Sequence, residues 1–228
     1  MRLIEKYPEG FDMGILSDPF TNYGDKKRYL DMFFPVLGEG SSRRVYGVDE
    51  KRVIKLAINN KGLAQNEAEI SFGKMQYAVC ARIINYDKQN YFIESERATP
   101  LEDSDGDIFE YYTDIPDIRG WFRNFLEYNS YGILSKKDFR LKYSQRFSSA
   151  SGAYSVQALE ELISFYDNPW VMDLIKFALR FNYVLPGDFP RLSTYGVVER
   201  RNIEGSGKKW SVVLVDYGFT EDISRNHY

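Results

Sequence analysis

Lys55 is a lone cation in the apolar run Val53-Ile54-Lys55-Leu56-Ala57. A lysine there must snorkel to solvent or find an anion, because an unpaired buried ammonium is costly. Two carboxylates follow on one helical pattern, Glu67 and Glu69, the second fourteen residues after Lys55. A strand-to-helix ion pair would hold the lysine toward phosphate oxygens. Upstream, Leu37-Gly38-Glu39-Gly40-Ser41-Ser42-Arg43-Arg44-Val45-Tyr46 sets a glycine-rich turn between two strand patterns. Glycines let backbone N–H groups approach a phosphate without Cβ clashes. Downstream, the apolar run Val212–Val215 ends in Asp216-Tyr217-Gly218, which puts a carboxylate at a strand mouth, suited to a Mg²⁺-bound phosphate. Taken singly, each piece has a plain structural reading: a hairpin, a solvent-facing lysine, a surface glutamate and an Asp/Gly turn. Their order along one chain is what points to phosphate chemistry.

Other chemistries are excluded by composition. The single histidine is His227, which rules out Ser-His-Asp and Cys-His nucleophile systems and multi-histidine metal sites. The single cysteine, Cys80, lies in the apolar run Tyr77–Ala81 and reads as a buried, inert thiol. One cysteine forms no intrachain disulfide, which fits a reducing, cytoplasmic setting. The net charge of −3 gives no basic excess for capturing nucleic acid. No apolar run reaches the length of a membrane span, and charges within Met1–Lys6 leave no signal-peptide core. Hydrophobic residues at 43% and charged residues at 28% describe a globular chain. The 18 Tyr and 16 Phe are expected in its core and surface, not on a base-stacking platform.

The elements that must position these residues follow in order. Residues 1–33 are broken by Pro8, Gly10, Gly14, Pro19 and Gly24, with a short helix expected from Lys26 to Phe34. Strands are expected at Phe33–Leu37, Arg44–Val48 and Val53–Ala57, the last two joined by the charged turn Asp49–Arg52. A polar break at Asn59–Gly62 precedes a helix over Leu63–Val79, with Ala64, Ala68, Phe72 and Met75 as its apolar stripe. Two more strands surround the turn Asp87–Asn90. Residues 99–118 are acidic and read as loop. Helices are expected over 119–134 and 155–184, the second interrupted near Pro169, and a hairpin over Tyr195–Arg200 and Trp210–Val215.

This set resembles the protein-kinase-like superfamily. The glycine turn, Val53-Ile54-Lys55, the helix glutamate and Asp216-Tyr217-Gly218 match in order that family's Gly-rich loop, Val-Ala-Ile-Lys, helix glutamate and Asp-Phe-Gly. The resemblance covers residues 33–220 and is nearest to compact bacterial and bacteriophage members. It implies a two-lobed α+β fold: an N-terminal extension over 1–32, an N lobe over 33–96 and a truncated helical C lobe over 97–228. A cleft would lie between the lobes, with a connector near Glu94–Thr99.

For the site, the resemblance implies ATP and Mg²⁺ as cofactors. Gly38, Gly40, Ser41, Ser42, Arg43, Lys55 and Glu94 would contact the nucleotide. Glu69 would orient Lys55, Asp188 would act as base, and Asp216 and Ser193 would be metal ligands. Two departures stand out. In Pro186-Gly187-Asp188-Phe189-Pro190-Arg191-Leu192-Ser193 a proline replaces the family's histidine, and Ser193 replaces its asparagine. Arg43 replaces the third glycine, so its guanidinium either reaches phosphate or closes the pocket. Only twelve residues follow Asp216, so a peptide-binding lobe is not expected within the chain. The first reading is therefore phosphate transfer from Mg-ATP to an unidentified protein substrate. The second is a pseudokinase that docks a protein partner, and a third is transfer of the AMP portion of ATP. A cytoplasmic location is expected, the host cytoplasm for a phage-encoded chain.

Overall fold

The computed structural model describes residues 7–75, 77–115, 125, 135–141, 156–180, 191–201, 208–215, 223 and 226. Among them, 7–75 with 81–98 form one compact unit, and 77–80 with 99–215 form another.

The first unit is built on a five-stranded antiparallel sheet. Its strands are β1 (Val36–Glu39), β2 (Arg43–Gly47), β3 (Arg52–Ala57), β4 (Ile83–Tyr86) and β5 (Phe92–Glu96), in spatial order β1-β2-β3-β5-β4. The chain crosses from β3 to β4 through helix α3 (Asn60–Gly73), which follows α1 (Gly14–Ser17) and α2 (Tyr23–Phe33). The strand–strand–strand–helix–strand–strand order read from the sequence is the order observed. Successive side chains on a strand alternate faces. Arg52, Ile54 and Leu56 therefore share one face of β3, and Val53, Lys55 and Ala57 share the other.

The N-terminal segment covers the Ile54 face. Leu16, Leu30 and Phe34 pack in one core with Tyr46, Ile54, Leu56 and Phe92. Residues 7–34 are thus a layer of this unit and not an appendage to it. The expected strand at Phe33–Leu37 begins only at Val36, because α2 runs on to Phe33. Phe33 is held there among Phe11 and Tyr29, with ring centroids 5.4 and 5.1 Å away. Lys26 is buried on the same helix; its Nζ donates to the Asp18 carbonyl at 2.9 Å and sits 3.5 Å from the centroid of the Tyr91 ring.

Helix α3 starts earlier and ends sooner than the sequence suggests. Asn59 is its N-cap: the Asn59 side chain accepts from Gly62 N at 3.0 Å. The polar break at Asn59–Gly62 is thus the cap and first turn of the helix. Of the expected apolar stripe, Phe72 is buried, Ala64 and Ala68 are half-buried, and Met75 is exposed beyond the helix end; Gln65, Asn66, Glu69 and Ile70 complete the buried side of α3.

The second unit carries a three-stranded antiparallel sheet of β6 (Thr99–Pro100), β7 (Tyr195–Arg201) and β8 (Lys208–Leu214). The β7–β8 pairing runs from Tyr195–Leu214 to Arg201–Lys208, as the hairpin pattern predicts. Helices α4 (Gly106–Thr113), α5 (Val156–Ser164) and α6 (Pro169–Arg180) belong to this unit. The acidic stretch read as loop contains α4. Its Phe109 is buried, 5.5 Å from the Trp170 ring and 5.1 Å from Tyr195. Pro169 begins α6, where its missing N–H costs nothing, and the Asn168 side chain accepts from Trp170 N and Val171 N. Cys80 is buried as expected, and the Arg200 guanidinium donates to the Ala78 and Cys80 carbonyls. Of the helix expected over 119–134, only Phe125 lies among the described residues.

Candidate functional site

Lys55 sits mid-strand in β3, with Val45 opposite on β2 and Ile93 opposite on β5. Flanked on both sides, its side chain leaves the sheet toward α3 and is 6% exposed. Its Nζ lies 2.8 Å from Glu69 Oε2, and Glu69 is fully buried. Of the two carboxylates that the sequence leaves open, Glu67 is exposed and Glu69 faces the sheet.

A second cation shares that carboxylate. Arg43, 5% exposed, brings Nη1 to 2.6 Å from Glu69 Oε1, with Asn66 Oδ1 at 3.4 Å. Each oxygen of Glu69 thus takes one cation, and the pair bridges β2, β3 and α3. A buried ion cluster of this kind holds together only when its members satisfy each other. Asn66 is fixed in turn, donating to the Asn90 carbonyl at 2.8 Å.

The glycine turn is tied to the same helix start. Ser42 Oγ donates to Gln65 Oε1 at 2.5 Å, Ile58 N donates to Ser42 O at 2.9 Å, and Asn59 Nδ2 donates to Ser41 O at 2.8 Å. Gly40 N closes the hairpin on Arg43 O at 2.9 Å. The side chains of Ser42 and Arg43 therefore face α3, and Ser41 is exposed. Arg43 neither points out of the turn nor caps it; it anchors the turn from beneath.

Gly38 and Gly40 differ from Gly62. A Cβ at Gly38 would meet nothing within 4 Å, and one at Gly40 would meet only Arg43 O at 3.9 Å. Neither has a positive φ. Among the described residues nothing demands glycine at these two positions, and none stands over them. That fits a turn kept bare for a group such as a phosphate.

Glu94 is placed elsewhere. It pairs with Ile54 across the sheet, so its side chain is on the face opposite Lys55. There it is fully buried, with Oε1 2.8 Å from Arg52 Nη1 and Oε2 accepting from Tyr7 OH at 2.7 Å. Burial, then the neighbouring Glu94 carboxylate, raises the Tyr7 hydroxyl pKa well above its ordinary value. Any approach of Glu94 to a ligand on the Lys55 side would be through its backbone.

Ser193 is exposed in the short 3-10 turn Leu192–Thr194 that leads into β7. Asp188 and Asp216 lie outside the described residues; β8, which leads to Asp216, is buried at Val212, Val213 and Leu214. Among the described residues no group of three or more His, Cys, Asp or Glu side chains could hold a metal ion. None of their helices is long and apolar enough to cross a membrane.

Arg43, Gln65 and Asn66 are the members that the sequence reading missed or left open. The signal was present: Gln65, Asn66 and Glu69 occupy positions i, i+1 and i+4, one face of a helix. A helix that buries such a face needs polar partners.

No protein-family model matches the chain, and no curated protein matches it. Among solved structures it is similar to the APH(2")-IIIa complex with GDP and kanamycin, at 11% identity and a TM-score of 0.32 over 81% of this chain. It is similar to SAICAR-synthase from Saccharomyces cerevisiae complexed with SAICAR, at 12% identity and a TM-score of 0.35 over 83% of the chain. It is also similar to the streptomycin–ATP–APH(2")-IIa ternary complex, at 11% identity and a TM-score of 0.33 over 91% of the chain. The chain spans 66%, 74% and 70% of those three chains.

Proposed function

We propose that this chain is a kinase-like nucleotide-binding protein that transfers phosphate from Mg-ATP to a hydroxyl acceptor. One observation carries the reading: the buried Lys55–Glu69 pair, 2.8 Å apart, joins β3 to α3, the helix to whose N-terminal end the glycine turn is tied. A cation held by a carboxylate, beside a turn without side chains over its glycines, suits a polyphosphate. Gly38, Gly40, Ser41 and Ser42 would lie along the phosphates through their backbone. Lys55 would bring its ammonium to them, and Glu69 would keep that ammonium in place. On the resemblance drawn from the sequence, Asp216 would hold Mg²⁺ with Ser193, and Asp188 would accept the acceptor's proton. Bound Mg²⁺ would supply charge neutralisation at the transferring phosphoryl group. Catalysis of this kind is positioning plus electrostatics.

The competing reading is a pseudokinase that docks a protein partner. It is favoured by Pro186 and Ser193, which stand where the family's histidine and asparagine are expected. A pseudokinase can bind nucleotide or not, so ATP turnover separates the two, and thermal unfolding with and without Mg-ATP tests the nucleotide site that the first reading requires. At about 100 times its dissociation constant a ligand stabilises the fold by about 2.7 kcal/mol. A rise in the unfolding temperature with Mg-ATP supports the first reading, and no rise at millimolar nucleotide refutes it.

A further inference from the structure

We propose that Arg43 is a positioning residue of this site: by holding the Glu69 oxygen that Lys55 does not use, it locks helix α3 to the glycine turn, so that Lys55 is set before any nucleotide arrives. The inference rests on the nucleotide reading of the site and assigns a role to a residue that reading does not need.

The geometry separates Arg43 from an ordinary buried cation. A carboxylate held by a single flexible lysine can still rotate about its terminal torsion, which is broad and roughly two-fold. In this chain Oε2 meets Lys55 at 2.8 Å and Oε1 meets Arg43 at 2.6 Å, so the carboxylate plane is fixed from two strands at once. Arg43 is also the first residue of β2, directly after the turn. A shift of α3 would therefore pull on the turn through Arg43–Glu69, Ser42–Gln65 and Ser41–Asn59 together. Only the first of these links also holds the partner of Lys55. Arginine suits the task because its planar, always-charged guanidinium presents several donors in a rigid fork, and Nη1 here has both Glu69 and Asn66 within reach. The same contacts explain why this position, the first of β2, carries a large cation whose side chain is buried.

The test is hydrogen exchange on the full chain without nucleotide, comparing wild type with Arg43→Ala, followed by Mg-ATP titration of both. Loss of a hydrogen bond to a charged group predicts exchange at least about tenfold faster in residues 40–42 and 60–73 of the variant. Amides of β3 and β5 should keep their protection. Methylguanidinium at tens of millimolar should restore both slow exchange and nucleotide affinity, because it refills the site of the deleted group. A side chain that merely fills space would not give this paired rescue. Unchanged exchange in α3 overturns the proposal, and so does a uniform rise across the whole unit without rescue. If Arg43→Ala does not fold, Arg43→Lys keeps the buried charge with a shorter, unforked head. It is expected to loosen the same two segments, and wild-type exchange in that variant would refute the lock. A wild-type chain with no affinity for Mg-ATP would refute the nucleotide reading alone, while the exchange comparison still decides whether Arg43 locks α3.

Discussion

Gly62, in the first turn of α3, lies so close to Ser42 that a Cβ on it would sit 2.1 Å from the Ser42 carbonyl oxygen. The same Cβ would stand 3.1 Å from both Cα and Cβ of Ala57. The contact brings the helix start, the glycine turn and the end of β3 together, and it leaves no room for any side chain.

Gly62→Ala should therefore cost about 3 kcal/mol, since overpacking against backbone cannot be relieved by a rotamer change. Gly38→Ala and Gly40→Ala face open space and should change stability by no more than about 0.5 kcal/mol. The order reverses for ligand. On the nucleotide reading, Ala at position 40 should weaken Mg-ATP binding by about tenfold or more, since a tenfold loss is only about 1.4 kcal/mol of lost approach. Urea denaturation and nucleotide titration of the three variants would show this crossing of effects.

Removing the shared carboxylate should be worse than removing either cation. Glu69→Ala leaves two buried cations without their common anion, and breaking a buried ion pair typically costs about 3–5 kcal/mol. Lys55→Met keeps the Arg43–Glu69 pair and replaces the ammonium with an apolar chain of similar length, so most of the stability should survive. Its Mg-ATP affinity should fall nonetheless. Paired unfolding and binding curves are the measurement, and equal stability losses in both variants would contradict the shared-carboxylate account.

Asp216→Asn should damage phosphate transfer more than Ser193→Ala. On the proposed function Asp216 would bring a full negative charge to a metal, while a serine hydroxyl would be a weaker ligand, and Ser193 is exposed in a short 3-10 turn. Transfer to acceptor, or ATP turnover where no acceptor is in hand, measures the difference. Full activity after Asp216→Asn would overturn the assignment of the site.

Asp49 gives a pH signature outside the site. Burial alone would raise its pKa, but hydrogen bonds from Lys51 N and Arg52 Nε, each 2.7 Å, and the Arg52 charge outweigh that and bring it below 3.8. A carboxyl whose pKa is lower in the folded chain stabilises above its unfolded value, and the stabilisation is lost as pH falls through the folded value. Because Asp49 is partly exposed, Asp49→Asn should cost no more than about 1 kcal/mol near pH 6. The gap to wild type should close as pH falls from the ordinary carboxylate range through the lowered folded value, in denaturation series at several pH values.

The sequence by itself determined the strand and helix order of the first unit, because period-two and period-3.6 patterns are local properties of the chain. It also offered Lys55 an anion on the next helix but left Glu67 and Glu69 open, and only the folded chain, which exposes Glu67 and buries Glu69, decided between them. The hairpin over β7 and β8 was legible for the same local reason. Tertiary structure alone decided what non-local packing controls. The N-terminal segment became a layer on the Ile54 face because Leu16, Leu30 and Phe34 find their partners on strands far along the chain. Glu94 went to the face opposite Lys55 because strand register, set by the whole sheet, fixes side-chain direction. Arg43 turned inward because Glu69, 26 residues away, had an oxygen to offer, and a buried guanidinium goes to the anion that repays its desolvation.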